Sequence, residues 1–267
     1  MCELLAISSR YPVAINYSLH EFSRHGGLSH ANNSGWGLSF QMDIDTLLIK
    51  EAKPAYDSPW IEFIRDHRTK SSCTIAHVRR ASHGEPKYEN THPFKREAYG
   101  RAHVFAHNGT LVDFQEALTL NAPQHLPMGE TDSEFAFCYL LNQLDPLWQD
   151  GIPSVERRLE ILGYVAAELR ALGSCNFLYS DGDTLFIHAD VRRNDVDGVL
   201  GPAVAPALHW IERQDLHVDG LNITSPVDTD NHALVFASVP LSDDDWQEIP
   251  RGSLLAVKNG KIINQLH

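Results

Sequence analysis

The chain has 267 residues, 43% hydrophobic and 21% charged, a length and balance that suit one large globular domain with a real core. Its 22 Lys and Arg against 35 Asp and Glu leave a formal charge of −13; such an acidic body, without a basic run, repels nucleic acid and anionic membrane, so neither is an expected partner. No apolar run approaches the roughly 18 residues that span a bilayer, and the start has neither a basic n-region nor a long h-region, so the cytoplasm is the expected location.

The chain opens Met1-Cys2-Glu3-Leu4-Leu5-Ala6-Ile7-Ser8. Cys2 is small enough to permit removal of Met1, which is the expectation. Its thiol and a free α-amine would then share one carbon. The amine has an ordinary pKa of about 7.7–8.0 and the thiol of about 8.5. Near neutral pH the amine could take the thiol's proton, so nucleophile and base would come from one residue. The same cysteine also suits the start of a buried strand over 2–8, where it would be a small hydrophobe. Cys2, Cys73, Cys138 and Cys175 form no C-x-x-C pair, so neither a zinc ribbon nor a thioredoxin site is suggested and all four are expected to be reduced.

Leu19 and Phe22 fall on a helical spacing over 16–25, stopped by Gly26-Gly27. Alternation of Trp36, Leu38 and Phe40 predicts a strand after Ser34-Gly35, with 46–50 as its hairpin partner. Pro59 opens a helix carrying Trp60, Ile61, Phe63 and Ile64. Residues 72–78 read as a strand and 79–84 as a loop. Residues 103–107 read as another strand, ended by a turn at Asn108-Gly109. Thr131 and Glu134 have capping-box spacing at the start of a helix striped by Phe135, Cys138, Leu141 and Leu144. The longest helix is expected over 154–172, stopped by Gly173. Strands at 176–180 and 184–188 flank Asp181-Gly182-Asp183 as a hairpin. Further strands are expected at 206–212, 233–239, 253–258 and 261–265, and Asp243-Asp244-Asp245 reads as a solvated turn or helix start. The pattern is β-rich with helices between groups of strands, in one compact domain spanning 1–267.

Six pieces stand in order: M-C-E-L-L at the start, G-W-G at 35–37, A-H-V-R at 76–79, N-T-H-P-F at 90–94, A-H-N-G at 106–109 and G-E-T-D-S-E at 129–134. In this the chain resembles a class II glutamine amidotransferase domain, a member of the N-terminal nucleophile hydrolases, and most of all the short stand-alone members without a fused synthase. The matching pieces cover the first half directly.

The resemblance implies an α+β fold: a four-layer α/β/β/α sandwich of two mainly antiparallel sheets. It implies that Cys2 attacks the side-chain carboxamide of glutamine and forms a γ-glutamyl thioester that water hydrolyses, releasing ammonia. Asn108 and the Gly109 N–H would form the oxyanion hole, where one donor is worth about 10²–10³ in rate. Arg79 matches the residue that grips the α-carboxylate and Asp132 the one that receives the α-ammonium. Ser82 and His83 fall where further substrate contacts are common, although threonine is usual at the position of Ser82. Trp36 and Gly37 would wall the pocket. His77, His92 and His107 are expected to position strands and loops.

The expected ligand is glutamine or another γ-glutamyl small molecule. With no second catalytic domain visible, a separate synthase subunit would receive any delivered ammonia. No cofactor is expected. No metal is expected either: the 15 histidines show no H-E-x-x-H spacing and no cysteine support. Three readings follow: the amidotransferase-type hydrolase, a non-catalytic regulatory subunit keeping the fold, and a metal-dependent hydrolase.

Overall fold

The strand Glu3–Ile15 is the spine of the first sheet. Neighbour to neighbour, that sheet runs Gln247–Glu248, His209–Arg213, Ala233–Ala237, Glu3–Ile15, Lys70–Arg79, Gly35–Met42, Asp45–Glu51. The second sheet runs Lys261–Leu266, Leu254–Lys258, Leu185–His188, Gly173–Ser180, Arg101–Leu111, Phe94–Ala98. Every pairing along both paths is antiparallel. These coordinates come from a computed structural model, which describes residues 2–81, 84–121, 124–196, 199–213, 217–218, 221–224 and 232–267.

Three apolar clusters separate four layers. Leu5, Ile7, Trp36 and Val78 pack under Leu19 and Phe22 of the helix Asn16–His25 and under Ile61 and Ile64 of the helix Pro59–His67. Leu4, Ala6 and Ile75 meet Val104, Ala106, Leu178 and Ile187 between the sheets. Phe105, Phe177 and Tyr179 pack against Phe137, Leu140, Leu162 and Val165 of the helices Asp132–Leu144 and Val155–Leu172. The result is an α/β/β/α sandwich. It also explains why Leu4-Leu5-Ala6-Ile7 shows no polar alternation: a segment covered on both faces is apolar on both.

Local signals set the helix ends. The Ser58 side chain accepts the Trp60 N–H, and Pro59 occupies the first turn, where its missing N–H costs nothing. Ser154 caps Val155–Leu172, which ends at Gly173. Thr131 accepts the Glu134 N–H, but the capping box is only half made. The buried Glu134 carboxylate instead accepts from Gly129 N–H at 2.6 Å and pairs with Arg96. In Pro59–His67 only Ile61 and Ile64 face the core; Trp60 and Phe63 are each 47% exposed.

One expectation is corrected. Asn108-Gly109 is not a turn: the strand Arg101–Leu111 runs straight through it, with Asn108 opposite Asn176 and Gly109 opposite Cys175. The reason is the neighbouring strand, which supplies a complete ladder on that side. The hairpin glycines include Gly100 at φ +70°, Gly182 at φ +78° and Gly260 at φ +71°. The expected strands at 206–212, 233–239, 253–258 and 261–265 appear as His209–Arg213, Ala233–Ala237, Leu254–Lys258 and Lys261–Leu266. Asp244 is tied to Arg213 in an ion pair, so that acidic turn is not simply solvated. The strand Phe94–Ala98 and the ribbon Arg192–Val196 with Val199–Val204 had no clear local signal. Among the described residues no helix is long and apolar enough to cross a membrane.

Candidate active site

Five strand ends meet at one end of the sandwich. Cys2 precedes the first strand, Arg79 ends Lys70–Arg79, Asn108 and Gly109 lie near the end of Arg101–Leu111, Ser174 near the start of its neighbour, and Asp190 just after Leu185–His188. Beside them opens a cavity of about 800 Å³. Cys2, Asn108 and Gly109 all line it, together with Arg80, Arg170 and Asp190.

The Cys2 thiol donates to the Arg80 carbonyl at 3.2 Å and accepts the Arg80 N–H at 3.1 Å. Burial pushes its pKa above the ordinary thiol range, and the Arg80 N–H and the Arg79 charge oppose that only in part. A neutral thiol needs a base to become a nucleophile. The side-chain amide of Asn108 donates to the Cys2 carbonyl at 2.5 Å, which places an N–H donor beside the cysteine. Gly109 is demanded by close packing: a Cβ there would meet the Ser174 carbonyl oxygen at 1.8 Å.

Arg79 is buried, and its guanidinium donates to the carbonyls of Gly84 at 3.0 Å and Glu85 at 3.2 Å. Burial pulls its pKa down while Cys2 and Asp132 act to raise it, so the three groups share one electrostatic neighbourhood. Asp132 is also buried. One of its carboxylate oxygens accepts Leu111 N–H at 2.8 Å and the other accepts Ser133 N–H at 2.9 Å. Neither Arg79 nor Asp132 is among the residues lining the cavity. Ser82 and His83 lie outside the described residues.

Trp36 and Gly37 are not brought to this cavity. Trp36 is 1% exposed in the core beneath the first two helices, and its indole N–H donates to Glu51 at 3.1 Å. A Cβ on Gly37 would meet the His92 carbonyl oxygen at 2.3 Å, so this glycine admits a neighbouring segment rather than a ligand.

His77, His92 and His107 are buried close to one another. The rings of His77 and His92 lie 4.2 Å apart. Burial drives the pKa of His77 down to about 3 and that of His92 well below the ordinary range. The same cause lowers His107, whose Nδ1 lies 2.8 Å from the Ser133 hydroxyl. Neutral packed rings fit a positioning role.

Several residues of the site carried no signal in the sequence. Asn176 braces it: its amide donates to the carbonyls of Asn108 at 3.0 Å and Val191 at 2.8 Å, and its oxygen accepts Asp190 N–H at 2.7 Å. Asp190 also accepts from Arg251 Nε at 2.8 Å. Among the described residues, Arg80, Arg170, Arg193 and Arg251 line the cavity against one carboxylate, that of Asp190. In a chain of net charge −13 this is a local reversal of sign, and it favours an anionic ligand.

The model for the family described as "Glutamine amidotransferases class-II" matches residues 1–267. The Escherichia coli (strain K12) protein named "Putative glutamine amidotransferase YafJ" is 33% identical over 264 residues, covering 94% of this chain and 95% of its own. A crystal structure described as a predicted glutamine amidotransferase from Pseudomonas aeruginosa PA01 superposes with a TM-score of 0.71 at 28% identity, over 98% of this chain and 100% of that one. The glutamine phosphoribosylpyrophosphate amidotransferase of B. subtilis shares the fold at a TM-score of 0.60 and 17% identity, over 99% of this chain and 49% of that chain.

Proposed function

The chain belongs to the class II glutamine amidotransferase family, and on that premise we propose that it cleaves the γ-carboxamide of glutamine or of a related γ-glutamyl amide through a thioester on Cys2. The observation that carries the reading is the juxtaposition of Cys2 with the Asn108 amide and Gly109 on one cavity wall.

With Met1 removed, the α-amine of Cys2 takes the thiol proton. The sulfur attacks the γ-carbonyl carbon, and the amide oxygen becomes an oxyanion. The Asn108 amide and the Gly109 N–H face that charge, where donors act most strongly because water is excluded. The C–N bond breaks as the amine returns the proton to the leaving nitrogen. Water then adds to the thioester, releasing glutamate and restoring the thiol. Arg79 and Asp132 take the α-carboxylate and α-ammonium of the γ-glutamyl head. For that, the loop carbonyls now paired with Arg79 and the N–H groups now paired with Asp132 must share them with substrate.

The cavity favours a second version of the same chemistry. Its arginines suit a leaving group that carries negative charge. Under the glutamine version ammonia passes to a separate synthase; under this one the leaving amine is itself a product.

Intact mass first establishes whether Cys2 is the N-terminal residue. Purified protein is then offered glutamine and a panel of γ-glutamyl amides. Turnover of some member, lost in Cys2→Ala, supports the reading, and the preferred leaving group separates its two versions. A 6-diazo-5-oxo-norleucine-type mimic should label Cys2. No labelling on a verified Cys2 terminus sinks the proposal, and a retained Met1 in the natural protein favours a non-catalytic subunit.

A further inference from the structure

Glu3 follows the nucleophile but faces away from it. Side chains alternate along a strand. Leu4 and Ala6 point between the sheets, while Leu5 and Ile7 point under the helices. Glu3 has the parity of Leu5, so its carboxylate lies on the helical side, with a side-chain exposure of only 3%.

Two histidines close over it. His25 is the last residue of Asn16–His25, and its Nδ1 lies 2.7 Å from Glu3 Oε2. His30 sits on the following loop, and its Nδ1 lies 2.8 Å from Glu3 Oε1. A bridge between Gly26 and Ala31 pinches that loop shut. The buried Asn32 donates to Glu3 Oε1 at 3.3 Å. One ligand atom from each of Glu3, His25 and His30 lies within 4.8 Å of the others, the single such group of three among the described residues.

We propose that Glu3, His25 and His30 form a binding site for a divalent transition metal of the zinc class, distinct from the catalytic cavity. The donor set decides the class. Two imidazoles and one carboxylate suit zinc and its neighbours, whereas calcium and magnesium prefer all-oxygen sites. The two rings now meet different oxygens of Glu3, at 2.7 and 2.8 Å; bonds to zinc of about 2.0–2.1 Å set tetrahedral ligands about 3.3 Å apart, so these contacts must open by roughly half an ångström. His30, with a side-chain exposure of 43%, lies on a loop that can give this movement and offers the entry path. Asn32 supplies the outer hydrogen bond that ligating carboxylates usually have. The ion fastens the start of the first strand, one residue from Cys2, to the first helix and the loop after it. This site does not depend on the catalytic reading above.

The test uses untagged full-length protein, stripped with a chelator and dialysed. Zinc is titrated by calorimetry, cobalt is followed by its visible spectrum, and Tm is measured with and without zinc. The expected result is one ion per chain, a raised Tm and a cobalt spectrum without a sulfur-to-metal charge-transfer band. His25→Ala and His30→Ala should each weaken binding at least about tenfold. His30 is exposed enough that His30→Ala should fold, which circular dichroism verifies. Absence of stoichiometric binding by the unmutated protein overturns the proposal and leaves a hydrogen-bonded triad. So does binding that survives His25→Ala/His30→Ala in a folded protein, or a thiolate band that assigns the ion to a cysteine.

Discussion

Asn176 holds Asn108 in place. Its Nδ2 donates to the Asn108 carbonyl at 3.0 Å, while Asn108 uses its own Nδ2 to reach the Cys2 carbonyl at 2.5 Å. The two sheets are thus linked through a pair of amides at the site where sulfur would react. Asn176 does not itself line the cavity, so it acts through Asn108. Replacing Asn176 with Leu leaves the Asn108 carbonyl unbraced and should lower kcat about tenfold to a hundredfold, because small misplacements of reacting groups are costly. KM should move far less. Steady-state kinetics on the preferred γ-glutamyl amide measures both, and an equal loss in Tm alone would mark Asn176 as merely structural.

Asn108→Ala removes one oxyanion donor. The expected loss in kcat is about a hundredfold to a thousandfold, with Cys2 still open to alkylation. A drop confined to KM would place Asn108 in binding rather than in the stabilisation of developing charge.

Glu3 makes acid stability predictable. Burial alone would raise its pKa, but the hydrogen bonds from His25 and His30 outweigh burial and bring it from 4.5 down to about 2. A depressed folded pKa stabilises the fold above the unfolded value, and that contribution disappears as pH falls from about 4.5 towards 2. The depression corresponds to at most about 3 kcal/mol. Denaturant unfolding in the presence of a chelator should lose stability across that window. Glu3→Gln should flatten it, and an unchanged slope in that variant would refute the assignment.

Arg158 is 2% exposed and donates to Asp181 at 2.7 Å and Asp183 at 3.0 Å. Asp181 is itself fully buried. Arg158→Leu strands that carboxylate, and breaking such a pair from one side typically costs about 3–5 kcal/mol. Chemical denaturation should register the loss. These residues are at the opposite end of the sandwich from Cys2, so the folded variant should keep its kcat.

The helices were legible because their signals are local. Pro59, Thr131 with Glu134, Ser154 and Gly173 act within one turn, and each marks an observed end; the Ser58 cap was seen only in the structure. The apolar strands were legible because burial on both faces leaves uninterrupted runs. Asn108-Gly109 misled because a turn dipeptide is only a local preference. A strand on the adjoining side of the sheet offered eight paired positions from Val104 to Leu111 and outweighed it. Trp36 and Gly37, taken from the G-W-G piece, are held by packing that lies outside that piece: Trp36 sits in the core under the first two helices and Gly37 lies against the His92 carbonyl.

By itself the amino-acid order determined the family pattern, the candidate nucleophile at position 2 and most element boundaries. Those depend on residue identity and on neighbours within a few positions. The tertiary structure alone decided that Asn176 braces Asn108, that four arginines gather on one cavity in an acidic chain, and that Glu3 meets His25 and His30. The partners in these contacts are separated by up to 249 residues, from Cys2 to Arg251, or by a loop whose closure no local preference encodes. Only the packing of two sheets and their helices brings them together.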